Sequence, residues 1–451
     1  MVFRRRLFWW LLRAYVKQWG KRIFFFFLFG LLIFFALIRS AGTIVSKIPL
    51  GYRESIGVIG DYTLENLPDP ILYKISNGLT TLDKNGIPKP LVATKWEIKN
   101  DGKTYIFYLR PDLFFSDNTN LTSHHINYNF SDATVERPNN YTIQFNLKGE
   151  YSPFLVTVSR PIFKDGYIGL GEYRIRDISL NGEFVKSLIL VSQSPPFHTI
   201  SYNFYPSEAA LKIAFLLGEV SEIQGLTTTK HESLHLDSFR NVEVKKITDS
   251  SRLVTLFFNI SDPVASDEKV RSALSYAIPD DFSAGQRNYL PYPPTLWATT
   301  NSIAEKRVDI EHAKVLLKSS PSASSGATLK LSIKTLNKYK ETAEILARGW
   351  EQLNVKAAIE VVDTVPVDYQ LFLGDFVMPK DPDQYQLWHI GQEDNITHYR
   401  NLRIDKLLED GRKITDIEAR KKIYSDFQKY LLADSPAIFL YFPTVYNLIR
   451  K

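Results

Sequence analysis

The sequence predicts an α/β protein of two or three lobes preceded by one membrane-spanning helix. Three observations predict it. Residues 23–38, IFFFFLFGLLIFFALI, are apolar without a break apart from Gly30. Beyond them, period-two strand patterns and 3.6-period helix patterns alternate, with no repeat of fixed length. The chain has 451 residues, more than one hydrophobic core normally serves.

The apolar run gives roughly 24 Å of helix at about 1.5 Å per residue, a little short for a bilayer. Snorkelling by Lys21, Arg22 and Arg39 covers the difference. Arg4, Arg5, Arg6, Arg13, Lys17, Lys21 and Arg22 precede it with no acidic residue among them, which places the N-terminus in the cytoplasm. Residues 1–22 therefore read as a basic cytoplasmic tail, 23–39 as the anchor and 40–50 as a spacer, with the body exported. Trp9, Trp10 and Trp19 suit a helix in the inner interface, or equally an ordinary positive leader region. Ser40, Ala41 and Gly42 offer a cleavage site, but the length of the run and Arg39 beside that site favour an uncleaved anchor. Of the net charge of +6, the seven N-terminal cations leave the remainder near −1, so nucleic-acid binding by the body is set aside. The chain has no cysteine, which excludes disulfides, a lipidated cysteine, thiolate metal sites and cysteine nucleophiles.

In the body, Trp96 and Ile98 alternate on one face, as do Tyr105, Phe107 and Leu109, with Asn100, Asp101 and Gly102 forming the hairpin turn between them. Thr122 reads as the N-cap of a helix, and residues 141–147 as a further strand. Ala210, Ile213, Ala214 and Leu217 recur at helical spacing, with Gly218 as the C-terminal stop. LVTLFFN is a buried strand. Residues 266–278 form a helix capped by Ser266, with Val270, Ala273, Leu274 and Ala277 on its inner face. After a Ser-rich loop at 319–325, the strand LKLSI, a helix over 341–353 and the strand AAIEVV make a βαβ unit.

Several of these segments, in this order, resemble the family 5 extracellular solute-binding proteins, the receptors of peptide and oligopeptide ABC importers. They begin with NGLTTLDKNGIPKPLVATKWEIKNDGKTYIFYLRPDLFFSDNTNLTSHHI, GLGEYRI and SEAALKIAFLLGEVSEIQGL. LFFN, KVRSALSYAI and GWEQLNVKAAIEV follow, then LGDFVMPKDPDQY, NITHYRNLRIDKLL and EARKKIYSDFQKYLLADSPAIFLYF. The resemblance implies a bilobal periplasmic-binding-protein-like fold with an extra small lobe and a ligand cleft. An N-terminal lobe would comprise 51–76, 161–260 and 432–451, a small inserted lobe 77–160, and a C-terminal lobe 261–431. It also implies that the chain binds without catalysis, closes over its solute and docks on permease subunits.

Similar receptors place an aspartate, which pairs with the ligand's α-amino group, four residues before the proline of the DP motif. Met378 stands there, with Asp375 and Asp381 three residues to either side. Loss of that ion pair points to a longer, N-blocked or more apolar peptide-like ligand. Asp381 and Asp383 are candidates to line the site, or form an Asp-Pro-Asp turn. Tyr385, Trp388 and Trp297 are candidate pocket walls, each with core packing as its alternative. Asn395, before Thr397 and Tyr399, is a candidate for hydrogen bonding in the cleft, with a role in its own loop as the favoured alternative. No metal is expected: His124 and His125 are adjacent and point apart, with no ligand at helical spacing. No cofactor motif, nucleophile elbow or metalloprotease helix is present, and Glu219 with Glu222 fall at a helix end. The expected function is a membrane-anchored receptor on the outer face that delivers a peptide or peptide-like solute to an ABC importer. A sensory module of the same fold and a tethered wall-peptide hydrolase are the alternatives.

Overall fold

The structure, a computed structural model, describes residues 8–10, 13–15, 17–22, 24–31, 52–300, 302–303, 305–323 and 326–451. Residues 24–31 are helical, with Phe24 to Phe27 more than half exposed. Among the described residues no helix is long and apolar enough to cross a membrane. The second half of the expected anchor, and the spacer, lie outside them. The chain divides into two units: Glu54–Leu190 with Ile200–Lys451, and the described residues up to Arg53 with Val191–Thr199.

A long mixed sheet is the backbone of the larger unit. Its order is Val355–Val362, Leu329–Leu336, Leu371–Val377, Arg252–Phe258, Ala437–Arg450, Glu222–Leu226, Tyr52–Ile59, His198–Tyr205, Phe184–Ser192 and Tyr173–Asn181. Val242–Thr248 and Gly285–Arg287 also pair with Ala437–Arg450. That strand, AIFLYFPTVYNLIR, runs through 14 residues and changes partner midway. Its first half pairs with Arg252–Phe258, Phe257 opposite Ala437, and its second half with Val242–Thr248, Thr248 opposite Thr444. Pro443, which has no N–H to give to a ladder, falls at the change, where its carbonyl accepts from Asp249 N–H at 2.8 Å.

The predicted βαβ unit is present. Leu329–Leu336 and Val355–Val362 run parallel in full register, with the helix Lys340–Glu351 between them. This helix buries Thr342, Ala343, Leu346 and Trp350, one stripe at helical period. The predicted hairpin is present as well: Trp96 opposes Phe107 and Ile98 opposes Tyr105. Asn100, Asp101 and Gly102 have φ of 51°, 53° and 88°, the left-handed region that Asn, Asp and Gly tolerate best. Around the hairpin, Ala93–Lys99, Thr104–Leu109, Thr142–Leu147 and Ala133–Asn139 form a separate antiparallel sheet over a core that includes Tyr105, Phe107, Phe145 and Phe154.

Three local expectations are corrected. The helix Glu208–Leu217 ends at Gly218 as predicted, with φ 81°, but it buries Leu211, Ala214 and Phe215 and leaves Ile213 and Leu217 exposed. Of the expected stripe only Ala214 is buried; the inner face runs instead through Leu211 and Phe215. The cap of Glu268–Ser275 is Asp267, accepting from Lys269 N–H at 2.9 Å, while Ser266 Oγ–H donates to Pro263 instead. Thr122 does cap, with His125 completing the box, but only a single turn, Ser123–His125, follows.

The glycines of GLGEYRI serve close packing. A Cβ at Gly169 or Gly171 would collide with the backbone of Lys74 and Ile75 at the end of the helix Asp69–Ile75. Gly169→Ala is expected to cost about 1–3 kcal/mol of overpacking strain, read as a lowered urea midpoint with unchanged slope.

Candidate functional site

The segment LGDFVMPKDPDQY leaves the sheet at the end of Leu371–Val377, where Met378 N–H donates to Ser251 carbonyl at 2.8 Å. Asp375, still within the strand, is buried, and Arg252 Nη1 and Lys338 Nζ donate to it at 2.7 and 2.8 Å. Burial pushes its carboxyl up, and the two cations outweigh that and hold it below the ordinary carboxylate range. Met378 packs in the apolar cluster that contains Phe376, Tyr292 and Trp388, and is only 8% exposed.

Lys380 points the other way. Its ammonium donates to Asp69 Oδ2 at 2.7 Å and Tyr73 Oη at 3.0 Å, both on the helix Asp69–Ile75, more than 300 residues earlier in the chain. Asp381 and Asp383, two residues apart, each find an arginine. Arg420 grips Asp381 with both terminal nitrogens, at 3.0 and 2.6 Å, and Arg412 Nε donates to Asp383 at 2.7 Å. Both carboxylates are more than 90% buried. Burial opposes the charge on Arg420, but Asp381 more than offsets it and raises the guanidinium's basicity. Asp383 comes out raised, because burial outweighs Arg412.

The aromatic candidates fall around this pair. Tyr385 lies against the Arg412 guanidinium at 3.8 Å and stacks on His389 at 4.0 Å. Trp388 is buried and donates its indole N–H to Gln384 at 2.8 Å. Trp297 packs on Tyr424 with Arg420 5.2 Å from its ring, and its backbone N–H donates to Asn85 carbonyl at 2.9 Å. Asn395 spends its amide on its own loop, donating to the His389 and Tyr399 carbonyls and accepting from Thr397. Six of the eight candidates thus gather at residues 375–388, Trp297 joins them through Arg420, and Asn395 sits in the adjoining loop.

Two cavities flank the segment. One, of about 410 Å³, is bounded by Asp375, Phe376, Val377, Pro379, Asp383 and Leu387. The other, of about 730 Å³, lies between Arg412 and the Phe130, Tyr151, Phe154 and Arg160 side chains of the antiparallel region. Ser152 ties that region to the helix Leu402–Lys413 by donating to the carbonyls of Gly411 and Arg412, at 3.0 and 2.6 Å. Sequence reasoning did not single out Lys380, Asp69, Tyr73, Arg412 or Arg420. The one available signal was the pair of acids in a segment otherwise set to be buried, since buried carboxylates require cations. Among the described residues no cluster of three or more histidine, aspartate or glutamate side chains could hold a metal, and His125 instead accepts from Thr122 N–H at 3.1 Å.

Residues 88–135 and 126–397 match the family of bacterial extracellular solute-binding proteins, family 5 Middle, which spans most of the chain. The chain belongs to that family. As a family member it is a solute-binding protein and not an enzyme. It is 23% identical over 486 residues to heme-binding protein A of Haemophilus influenzae, covering 87% of this chain and 85% of that one. It is 20% identical over 514 residues to the periplasmic oligopeptide-binding protein OppA of Salmonella typhimurium, covering 92% of each. The crystal structure of the ABC transporter substrate-binding protein CtaP from Listeria monocytogenes superposes with a TM-score of 0.75 at 20% identity, over 89% of this chain and 94% of that one. These likenesses establish the bilobal α/β solute-binding fold.

Proposed function

We propose that the family 5 protein described here captures a peptide or peptide-like solute between its lobes and delivers it to an ABC importer, held at the outer face of the membrane by residues 23–38. The observation that carries the reading is the segment 378–388. It offers an apolar side chain, Met378, where similar receptors use an aspartate, and it is latched through Lys380 to the helix Asp69–Ile75. Relatives with peptide-binding names match most of the chain, OppA over 92% of it. An apolar group at this point favours a peptide whose amino end is blocked, or one that runs past the position without a free amine there. The seven cations before residue 23 and the absence of cysteine support tethering by the helix itself, and the spacer then allows about 30 Å of reach at ~3.3 Å per residue. The permease would be met within the membrane plane.

Native mass spectrometry of the purified protein, with release of bound solute in denaturant, tests the ligand class. Co-purified peptides, or a melting temperature raised by N-acetylated members of a peptide library, support it; hydrolysis of bound peptide, or no response to any peptide, removes it. The N-terminal sequence of the mature protein from membranes tests the anchor, since cleavage near Ala41 would remove it.

The Lys380 latch makes a further prediction. Lys380 and Asp69 are both about half exposed, so the pair contributes no more than about 1 kcal/mol. Lys380→Ala is expected to weaken solute binding by about 2–5-fold with little change in thermal stability. Unchanged affinity in calorimetric titration would show that the latch plays no part in closure.

A further inference from the structure

Away from residues 375–388, a cavity of about 240 Å³ opens beside the start of the strand Ala437–Arg450, bounded by Arg287, Tyr289, Lys306 and Phe439. Two cations, Arg287 and Lys306, are held at it, and Lys429 and Glu305 line it as well. Arg287 Nη1 donates to the Phe439 and Leu440 carbonyls at 2.6 and 2.7 Å, and the guanidinium lies over Tyr289 at 3.9 Å. Its Nε is buried with no hydrogen-bond partner among the described residues. Lys306 Nζ has the Ser435 hydroxyl at 2.7 Å and the Ser272 hydroxyl at 3.5 Å.

Among the described residues neither cation has a carboxylate within ion-pair distance. Three acids act on them without pairing: Asp280 accepts from Tyr289 Oη at 2.7 Å, Glu305, which lines the cavity, pairs with Arg307 at 2.8 Å, and Glu268 acts on Lys306. Buried cations are ordinarily paired. Burial pulls Arg287 down to about 10 and Lys306 to about 8, and the acids nearby do not offset it. Capping of backbone carbonyls accounts for Arg287 Nη1, and Ser435, at the end of the helix Ile417–Asp434, takes part of the Lys306 donor capacity. Neither accounts for the orphaned Nε. At about 240 Å³ the cavity has room for a tetrahedral oxyanion.

We propose that this cavity binds a small oxyanion of the phosphate or carboxylate class, held between Arg287 and Lys306. The site shares no residue with the segment 375–388 and does not depend on the peptide reading. An anion there joins the loop that carries Lys306 to the strand shared by both halves of the sheet, so its occupancy is read as stability.

Thermal unfolding of the full chain in detergent tests it, with inorganic phosphate, acetate and chloride at equal ionic strength. At 20 mM, phosphate or acetate is expected to raise the midpoint by about 2 °C or more over chloride. The larger of the two shifts assigns the class. Lys306→Gln is expected to abolish most of the shift. Arg287→Lys, which keeps the charge but has no Nε and ends one bond short of Nη1, is expected to halve it or more. Equal midpoints in all three salts overturn the proposal, as does a full shift surviving in Lys306→Gln.

Discussion

Arg420→Met is expected to lower the stability of the protein by about 3–5 kcal/mol, among the largest effects of any single side chain in the fold. The substitution keeps most of the apolar stem but leaves Asp381 as a carboxylate, more than 90% buried, that has lost its bidentate partner. Its remaining donor is the backbone N–H of Asp383 at 3.1 Å. Arg420 Nε also donates to the Gly411 carbonyl at 2.9 Å, which would keep only the Ser152 hydroxyl as a side-chain donor. Asp381→Leu is expected to cost a similar amount for the converse reason, a buried guanidinium without its anion. The double variant Asp381→Leu with Arg420→Met removes both charges at once, and its loss is expected to be smaller than the sum of the two single losses by about 2 kcal/mol or more. Urea unfolding of the four proteins checks this. Strict additivity would mean that the pair is uncoupled and that Asp381 is held by something other than Arg420.

That pair also shows where the sequence stopped being informative. Periodicity found elements whose partners are close in the chain. The hairpin around Asn100, Asp101 and Gly102 and the βαβ unit of 329–362 need only local spacing and a turn of the right chirality, and both are present. The segment 373–385 stands out as a candidate site only because its residues resemble a family motif. The partners of its charged groups were not legible, because they are brought in by the tertiary fold: Arg412 from 29 residues away, Arg420 from 39, Asp69 from 311. Asp-Pro-Asp looks the same in one dimension whether its carboxylates face a ligand or an arginine. The helix Glu208–Leu217 shows a second limit. Apolar residues occupy both of its faces, Ile213 and Leu217 in solvent and Leu211 and Phe215 buried, so spacing alone does not tell which stripe meets the core.

Met378→Asp is expected to change what the protein binds. In the wild type the thioether packs with Phe376, Tyr292 and Trp388 at 8% exposure, so the position offers nothing to an ammonium group and penalises burying one. A carboxylate at the same place is itself desolvated until a cation arrives. Without ligand the variant is therefore expected to lose about 1–3 kcal/mol of stability. A peptide with a free amino terminus supplies the missing charge, and a charge-assisted hydrogen bond of about 1.5–3 kcal/mol corresponds to about 10–100-fold tighter binding. An N-acetylated copy of the same peptide supplies no cation and is expected to bind the variant no better than the wild type, or worse. The informative quantity is the ratio of the two affinities, measured by calorimetric titration in each protein, because general destabilisation weakens both peptides alike and cancels. A ratio unmoved by the substitution would place the amino end of the ligand away from residue 378, and the ligand would then have to be oriented by the cavities beside Arg412 and Asp383 instead.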